Sequence, residues 1–226
     1  MADRAAKTAM YEQFARVGSA LASPVRLELL DLLAQGERGV GELAAAAGLR
    51  LSNASAQLQV LADPGLIARH RAGRRIRYRL AADAAGLLAE RVQQFAWEHL
   101  PGTERASRDY LGDVPALEPV SRDELYRRLQ AGSVLLLDVR PAAEYTATHI
   151  HGAVSIPHDQ LPARLGELPA GEIVAYCRGR FCAMAPEAVR VLRRHGRDAR
   201  PLDGGLPGWR QAGLPVAVGP APPIVR

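Results

Sequence analysis

The chain has 226 residues, 48% of them apolar and only 5% aromatic, with a formal net charge of +5. That length suits two domains of roughly 100 residues each, with cores built mainly from Leu, Val, Ile and Ala. No apolar run approaches the ~20 residues of a membrane span, and the start "MADRAAKTAMYEQFARVG" lacks an apolar signal core, so a cytoplasmic protein with no membrane partner is predicted. In that compartment the two cysteines, Cys177 and Cys182, read as reactive thiols or ligands rather than a structural disulfide. The basic balance favours an anionic partner without naming one.

Residues 1 to 100 read as mostly helical. Met10, Phe14, Val17 and Leu21 recur at helical spacing and predict an opening amphipathic helix. "SPVRLELLDLLAQG" predicts a second helix, with Ser23 as N-cap, Pro24 at the first position and Gly36 at the exit. Two short helices follow over 40–47 and 52–63. The first stops at Gly48; the second has Ser52 as N-cap, Ala54, Leu58 and Leu61 as its buried face, and Pro64-Gly65 as its stop. "IARHRAGRRIRYRL" then carries strand-type residues Ile67, Ile76, Tyr78 and Leu80 around a turn at Ala72-Gly73, a β-hairpin pattern. "ADAAGLLAERVQQFAWEHL" returns to helix, with Leu88, Val92 and Phe95 on one face.

Residues 101–120, "PGTERASRDYLGDVPALEPV", lack a sustained period and read as a linker. Beyond it "SRDELYRRLQAG" and "APEAVRVLRRHG" read as helices, while "VLLLDVR", "AVSIP" and "EIVAYC" read as buried strands. Alternating strands and helices predict an α/β domain with a mostly parallel sheet over 121–220. The whole chain is therefore expected to be a multidomain α+β protein: 1–100 helical with a hairpin, then the α/β unit.

The two short helices make a helix-turn-helix pattern. Its second helix would enter the major groove by its N-terminal end, placing Ser52, Asn53, Ser55, Ala56 and Gln57 against bases or phosphates. Asn and Gln match the adenine edge, and Ser suits phosphate. The hairpin adds Arg71, Arg74, Arg75 and Arg77 as candidate backbone or minor-groove contacts, with Arg75, Arg77 and Arg79 on one face opposite Ile76 and Tyr78. The alternative is a merely solvated basic hairpin.

"LASPVRLELLDLL", the Ser-rich recognition helix and the Gly-Arg-Arg wing together resemble the ArsR/SmtB winged helix-turn-helix repressors over about 100 residues. The resemblance implies a homodimer that pairs through its first and last helices, by faces containing Met10, Phe14, Val17, Val92 and Phe95, on a palindromic double-stranded operator. Family members often carry His where Gln57 stands here. The metal sites of the family have no counterpart: "GELAAAAG" holds no cysteine, Asp83 is followed by Ala85 where a partner ligand would be needed, and His99 stands alone. No cofactor or metal is expected.

"AYCRGRFCAMAPEAV" holds both thiols. A thiolate, not a thiol, attacks sulfane sulfur, and free Cys with a pKa of ~8.5 needs help at neutral pH. Arg178, Arg180, backbone N–H groups around Gly179 and the start of the following helix offer that help to Cys177. Cys177 directly follows an apolar strand and is expected at its carboxyl end, the usual ligand side of such sheets. The candidate site is Cys177, Arg178, Gly179, Arg180, Phe181 and Cys182.

Asp138-Val139-Arg140, Glu144-Tyr145, His149-Ile150, Gly152-Ala153, the Cys177 loop and Gly204-Gly205 with Trp209 resemble the rhodanese domain in order and spacing. The resemblance implies a sulfurtransferase-type persulfide on Cys177, passed from a small sulfur donor to an acceptor, with Asp138, Arg140, Glu144 and His149 as scaffold. The loop departs from the commoner Cys-x-x-Gly-x-Arg pattern: Gly179 comes one place early, and Cys182 stands where an Arg is often found. Cys182 is thereby placed either to close a bridge onto modified Cys177 or simply to pack against the loop. A phosphatase-type loop is disfavoured because Ala183 stands where it needs Arg. The leading expectation is a repressor whose rhodanese-like domain senses or transfers reactive sulfur. The alternatives are a sulfurtransferase carried by a constitutive DNA-binding domain, and a soft-metal or arsenic(III)-responsive repressor.

Overall fold

The computed structural model describes residues 3–221. Tertiary contacts divide the chain at Leu100/Pro101 into two compact units.

The first unit runs α1 (Arg4–Leu21), α2 (Pro24–Ala34), β1 (Arg38–Gly39), α3 (Val40–Ala46), α4 (Leu51–Ala62), β2 (Ile67–Ala72), β3 (Arg75–Leu80) and α5 (Asp83–His99). Its core is the inward face of each helix: Leu29, Leu30, Leu32 and Leu33 of α2, Leu43 of α3, and Leu58 and Leu61 of α4, closed by Ile67 and Tyr78 of the hairpin. Ala54, Leu58 and Leu61 lie at i, i+4 and i+7, so one stripe of α4 is buried. The opposite side of that helix is left open. Pro24 occupies the first turn of α2, where its missing N–H costs nothing. The three strands form an antiparallel sheet in the order β1-β3-β2.

Several boundaries differ from expectation. Helix α4 begins at Leu51 with Arg50 as its cap residue, so Ser52 lies inside the first turn. The hairpin turn is Gly73-Arg74, because Ala72 pairs with Arg75; Gly73 takes the left-handed conformation (φ 61°) that glycine adopts without strain. Strand β1 is too short to leave a sequence pattern. On α5 the buried residues are Ala85, Gly86 and Ala89, while Leu88, Val92 and Phe95 remain open.

The second unit runs α6 (Pro101–Leu111), a 3-10 turn (Pro115–Leu117), α7 (Arg122–Gln130), β4 (Leu135–Asp138), α8 (Ala142–Ala147), β5 (His149–Ile150), β6 (Val154–Ser155), α9 (Leu161–Arg164), a second 3-10 turn (Leu165–Glu167), β7 (Ile173–Tyr176), α10 (Met184–Arg194), β8 (Ala199–Pro201), α11 (Gly205–Gln211) and β9 (Val216–Ala217). Much of the segment read as a linker is therefore helical. Only Leu111 of α6 is buried, so the helix has too few apolar positions to leave a period in the sequence.

Strands β6-β4-β7-β8 form a four-stranded parallel sheet. Strand parity splits its side chains between two cores. Leu137, Ile173, Ala175 and Cys177 pack with Ala188, Val189 and Leu192 of α10. Leu136, Val174 and Tyr176 pack with Leu125 of α7, Tyr145 of α8, and Leu206 and Trp209 of α11. Helices thus cover both faces, as a parallel sheet requires.

Candidate functional site: a buried thiol pair and a basic wing

Strand β7 ends at Tyr176, and parity turns the next side chain, Cys177, under α10. It is only 2% exposed, whereas Cys182 is partly open. The loop between them folds back tightly: Cys182 N–H donates to Gly179 O at 3.2 Å. Gly179 has φ 152° and Gly205 has φ 55°, both in the region that favours glycine. Gly205 also packs against the loop so closely that a Cβ there would lie 2.6 Å from Cys177 O and 2.9 Å from Gly179 N. The Gly204-Gly205 pair is thus a backbone-to-backbone contact that fixes the loop, closed by Leu206 N–H donating to Cys177 O at 3.2 Å.

The backbone N–H groups of Gly179 and Ala185 favour a charge on Cys177, and those of Arg178 and Met184 favour one on Cys182. Two carbonyl oxygens oppose a charge on Cys177: its Sγ lies 3.4 Å from Cys182 O and 3.9 Å from Gly179 O. Burial pushes the Cys177 thiol well up, and its hydrogen bond to the Cys182 thiol adds to the rise. The same hydrogen bond, received by Cys182, lowers that thiol to about 7, with further help from backbone N–H groups and the Arg178 charge. In the reduced loop the surroundings favour a thiolate on Cys182 over one on Cys177, because Cys177 is more deeply buried and faces carbonyls.

Arg178 is not free to follow a ligand. Its Nη2 donates to Glu144 Oε1 at 2.6 Å and its Nε to both carboxylate oxygens at 3.1 Å, and Glu144 is 2% exposed. Arg180 is paired with Asp203 at 3.5 Å, and Phe181 is half-buried. Asp138 and Arg140 form a wholly buried pair at 2.6 Å, in which Arg140 also donates to Thr148 O at 2.7 Å. His149 stacks on Tyr145 with ring centroids 3.7 Å apart, and its Nδ1 meets Tyr145 O at 2.8 Å. These groups brace the strand ends, and Glu144 reaches the loop through Arg178.

In the first unit Ser52, Asn53, Ser55 and Ala56 lie on the open side of α4, and Gln57 is half-buried. Arg71, Arg74 and Arg75 cluster at the exposed tip of the hairpin, where Arg71 Nε donates to Gly73 O at 3.0 Å. Arg77 is placed differently. Its Nε donates to Glu37 Oε1 at 2.9 Å, its Nη2 to Glu37 O at 2.6 Å, and its Nη1 lies 3.3 Å from Glu42 Oε2. It anchors the base of the wing, while Arg71, Arg74 and Arg75 stand at its exposed tip.

The family model for the bacterial regulatory protein, arsR family, matches residues 23–69, and that for the rhodanese-like domain matches residues 121–212. The HTH-type transcriptional regulator Rv0324 of Mycobacterium tuberculosis is 50% identical over 214 residues, covering 94% of each chain. The chain belongs to the arsR family of bacterial transcriptional regulators. It is a DNA-binding regulator of that family fused to a rhodanese-like domain. A protein named sulfurtransferase from Allochromatium vinosum is 31% identical over 99 residues, 43% of this chain and 92% of its own. A solution structure described as the homodimeric winged helix-turn-helix DNA-binding domain of Mb0332 from Mycobacterium bovis is 49% identical over 44% of this chain and 91% of its own, with a TM-score of 0.41.

Against this family background the structure brings Cys177, Arg178, Gly179, Arg180, Phe181 and Cys182 into one turn, and leaves Ser52, Asn53, Ser55 and Ala56 open on α4. Among the described residues no group of three or more His, Cys, Asp or Glu side chains is placed to hold a metal ion, and no helix is long and apolar enough to cross a membrane. Sequence reasoning missed Arg26, whose guanidinium reaches Gln57, and the two glutamates that anchor Arg77. Their partners lie too far along the chain for local spacing to show.

Proposed function

We propose that this arsR-family regulator is a homodimeric operator-binding repressor whose rhodanese-like domain takes up sulfane sulfur at Cys177 and changes DNA affinity in response. The carrying observation is the thiol pair: Cys177 and Cys182 share one tight turn between a strand end and a helix start, with Cys177 Sγ 3.4 Å from Cys182 O and backbone N–H groups that favour a charge on sulfur, in the same chain as a helix-turn-helix. Such a cradle stabilises a sulfur anion without a metal.

With thiosulfate as donor, the Cys177 sulfur attacks the outer, sulfane sulfur. The S–S bond of thiosulfate breaks, sulfite leaves with the bonding electron pair, and the Cys177 proton passes to the Cys182 thiolate. Cys177 is left as a persulfide anion held by the Gly179 and Ala185 N–H groups. A thiolate acceptor then attacks the outer sulfur and restores the pair. Glu144 keeps Arg178 beside both sulfurs throughout, a positioning role.

A second reading has Cys182 as the first nucleophile. Its greater exposure and lowered pKa favour it. Fluorescence-anisotropy titration of promoter DNA at fixed salt tests both readings, because phosphate contacts make affinity salt-dependent. Reduced protein is compared with protein treated with thiosulfate or polysulfide, alongside Cys177→Ser and Cys182→Ser. A Cys177-dependent change of tenfold or more, equivalent to about 1.4 kcal/mol of coupling, supports the switch. A change that persists in Cys177→Ser and vanishes in Cys182→Ser moves the sulfur to Cys182. Unchanged affinity, with mass-spectrometric proof of sulfur on the protein, leaves a sulfurtransferase on a constitutive DNA-binding domain.

A further inference from the structure

Arg26 of α2 joins three helices of the first unit. Its Nε donates to Ala20 O at 2.5 Å and its Nη2 to Ser19 O at 3.0 Å, satisfying two carbonyls in the last turn of α1. Its Nη1 donates to Gln57 Oε1 at 2.9 Å on α4. Gln57 Nε2 in turn donates to Asn53 Oδ1 at 3.2 Å, one turn earlier on the same helix.

The chemistry of these three side chains fixes the direction of each bond. A guanidinium has donors only, so it must meet the oxygen of the Gln57 amide. That leaves the Gln57 nitrogen pointing along α4, where it must meet the oxygen of Asn53. The Asn53 nitrogen, with both its hydrogens, then faces outward near the start of the helix. Two amides that could otherwise present either end are held with their nitrogens forward.

We propose that Arg26 sets the polarity of the recognition helix, so that Asn53 and Gln57 offer donors to the major groove and select guanine, through N7 and O6, over adenine. This inference rests on the reading of α4 as the DNA-contacting helix. Guanine carries two adjacent acceptors on its major-groove edge, whereas adenine carries one acceptor beside the N6 donor. Recognition of adenine by a single amide needs oxygen and nitrogen side by side toward the base, and the Asn53 oxygen is turned along α4 to accept from Gln57. This proposal differs from the adenine match that residue type alone suggests.

The test is selection of preferred duplexes from a randomised pool by the full-length protein, followed by anisotropy titration at fixed salt. For the wild type, a guanine is expected at the base facing Asn53. Replacing it with adenine, or with a guanine analogue lacking N7, should weaken binding about tenfold. Gln57→Glu keeps the oxygen that Arg26 holds, which preserves the helix contact. It removes the donor to Asn53, so the Asn53 amide turns over and presents oxygen. Preference should then shift to a base with a donor edge, adenine or cytosine, with weaker overall affinity from the added negative charge. Arg26→Met should leave both amides free to rotate and cut the guanine preference below about threefold, with circular dichroism reporting whether the helices persist. Wild-type preference for adenine at that base, or unchanged guanine preference in a folded Gln57→Glu protein, overturns the inference and leaves α4 as the reading helix. Binding without any base preference overturns the reading of α4 itself.

Discussion

Cys177 and Cys182 share one proton between two unequal environments. Cys177 is buried against carbonyl oxygens, which hold its proton in place; Cys182 is partly open, accepts the Cys177 hydrogen bond and lies near Arg178. Such a pair titrates as a unit. Thiolates form as pH rises through the pKa, so alkylation of the wild-type loop should climb through pH about 7, the value to which Cys182 is lowered. Cys177→Ala removes the donor that lowers Cys182, and Cys182→Ala leaves a buried thiol alone. Either substitution should move the inflection upward, toward or beyond the ~8.5 of a free thiol. Iodoacetamide labelling across pH, read by mass spectrometry, checks this; an inflection still near 7 in Cys182→Ala would assign the thiolate to Cys177. The placement of both thiols in one loop at the end of an apolar strand was legible in the sequence. Which sulfur ionises was not, because that depends on which carbonyls the folded turn brings to each one.

Helix α4 and the wing show the same division at the scale of elements. The buried stripe Ala54, Leu58, Leu61 follows from helical period alone, and the open residues Ser52, Asn53, Ser55 and Ala56 are its complement. The wing arginines cannot be sorted by period. Arg75 and Arg77 lie on the same side of β3, yet Arg75 is exposed at the tip while Arg77 is tied to Glu37 and Glu42. Arg77→Ala is expected to lower stability by about 1 kcal/mol, since it removes partly screened ion pairs and a charge-assisted bond to a backbone oxygen. Arg75→Ala should leave stability unchanged and reduce the slope of log affinity against log salt by about 1, the signature of one lost phosphate contact. Thermal melts and anisotropy at several salt concentrations separate the two. Equal melting temperatures for both variants would count against the anchoring role of Arg77.

For the whole molecule, the open apolar residues of the first unit need a partner. Met10 and Phe14 of α1 are 49% and 60% exposed, and Phe95 of α5 is 63% exposed. Large apolar side chains left open on two terminal helices are what the proposed dimer would cover. Phe95→Glu should yield a monomer in sedimentation equilibrium and lose cooperative binding to a palindromic duplex, while keeping the helical circular dichroism of the wild type. A dimer that survives this change would move the interface elsewhere.

By itself the sequence determined the two-part architecture, the inward face of α4, the antiparallel wing and the position of the thiol loop at the end of a central strand. Each of these follows from local rules: side-chain period, turn-forming glycines and the spacing of short motifs. Tertiary structure alone decided which side chains are free to act. Arg26 meets Gln57 across 31 residues, Arg178 meets Glu144 across 34, and Arg77 meets Glu37 across 40. A charge or an amide presents whichever group its partner leaves unused, and those partners become neighbours only when the chain folds.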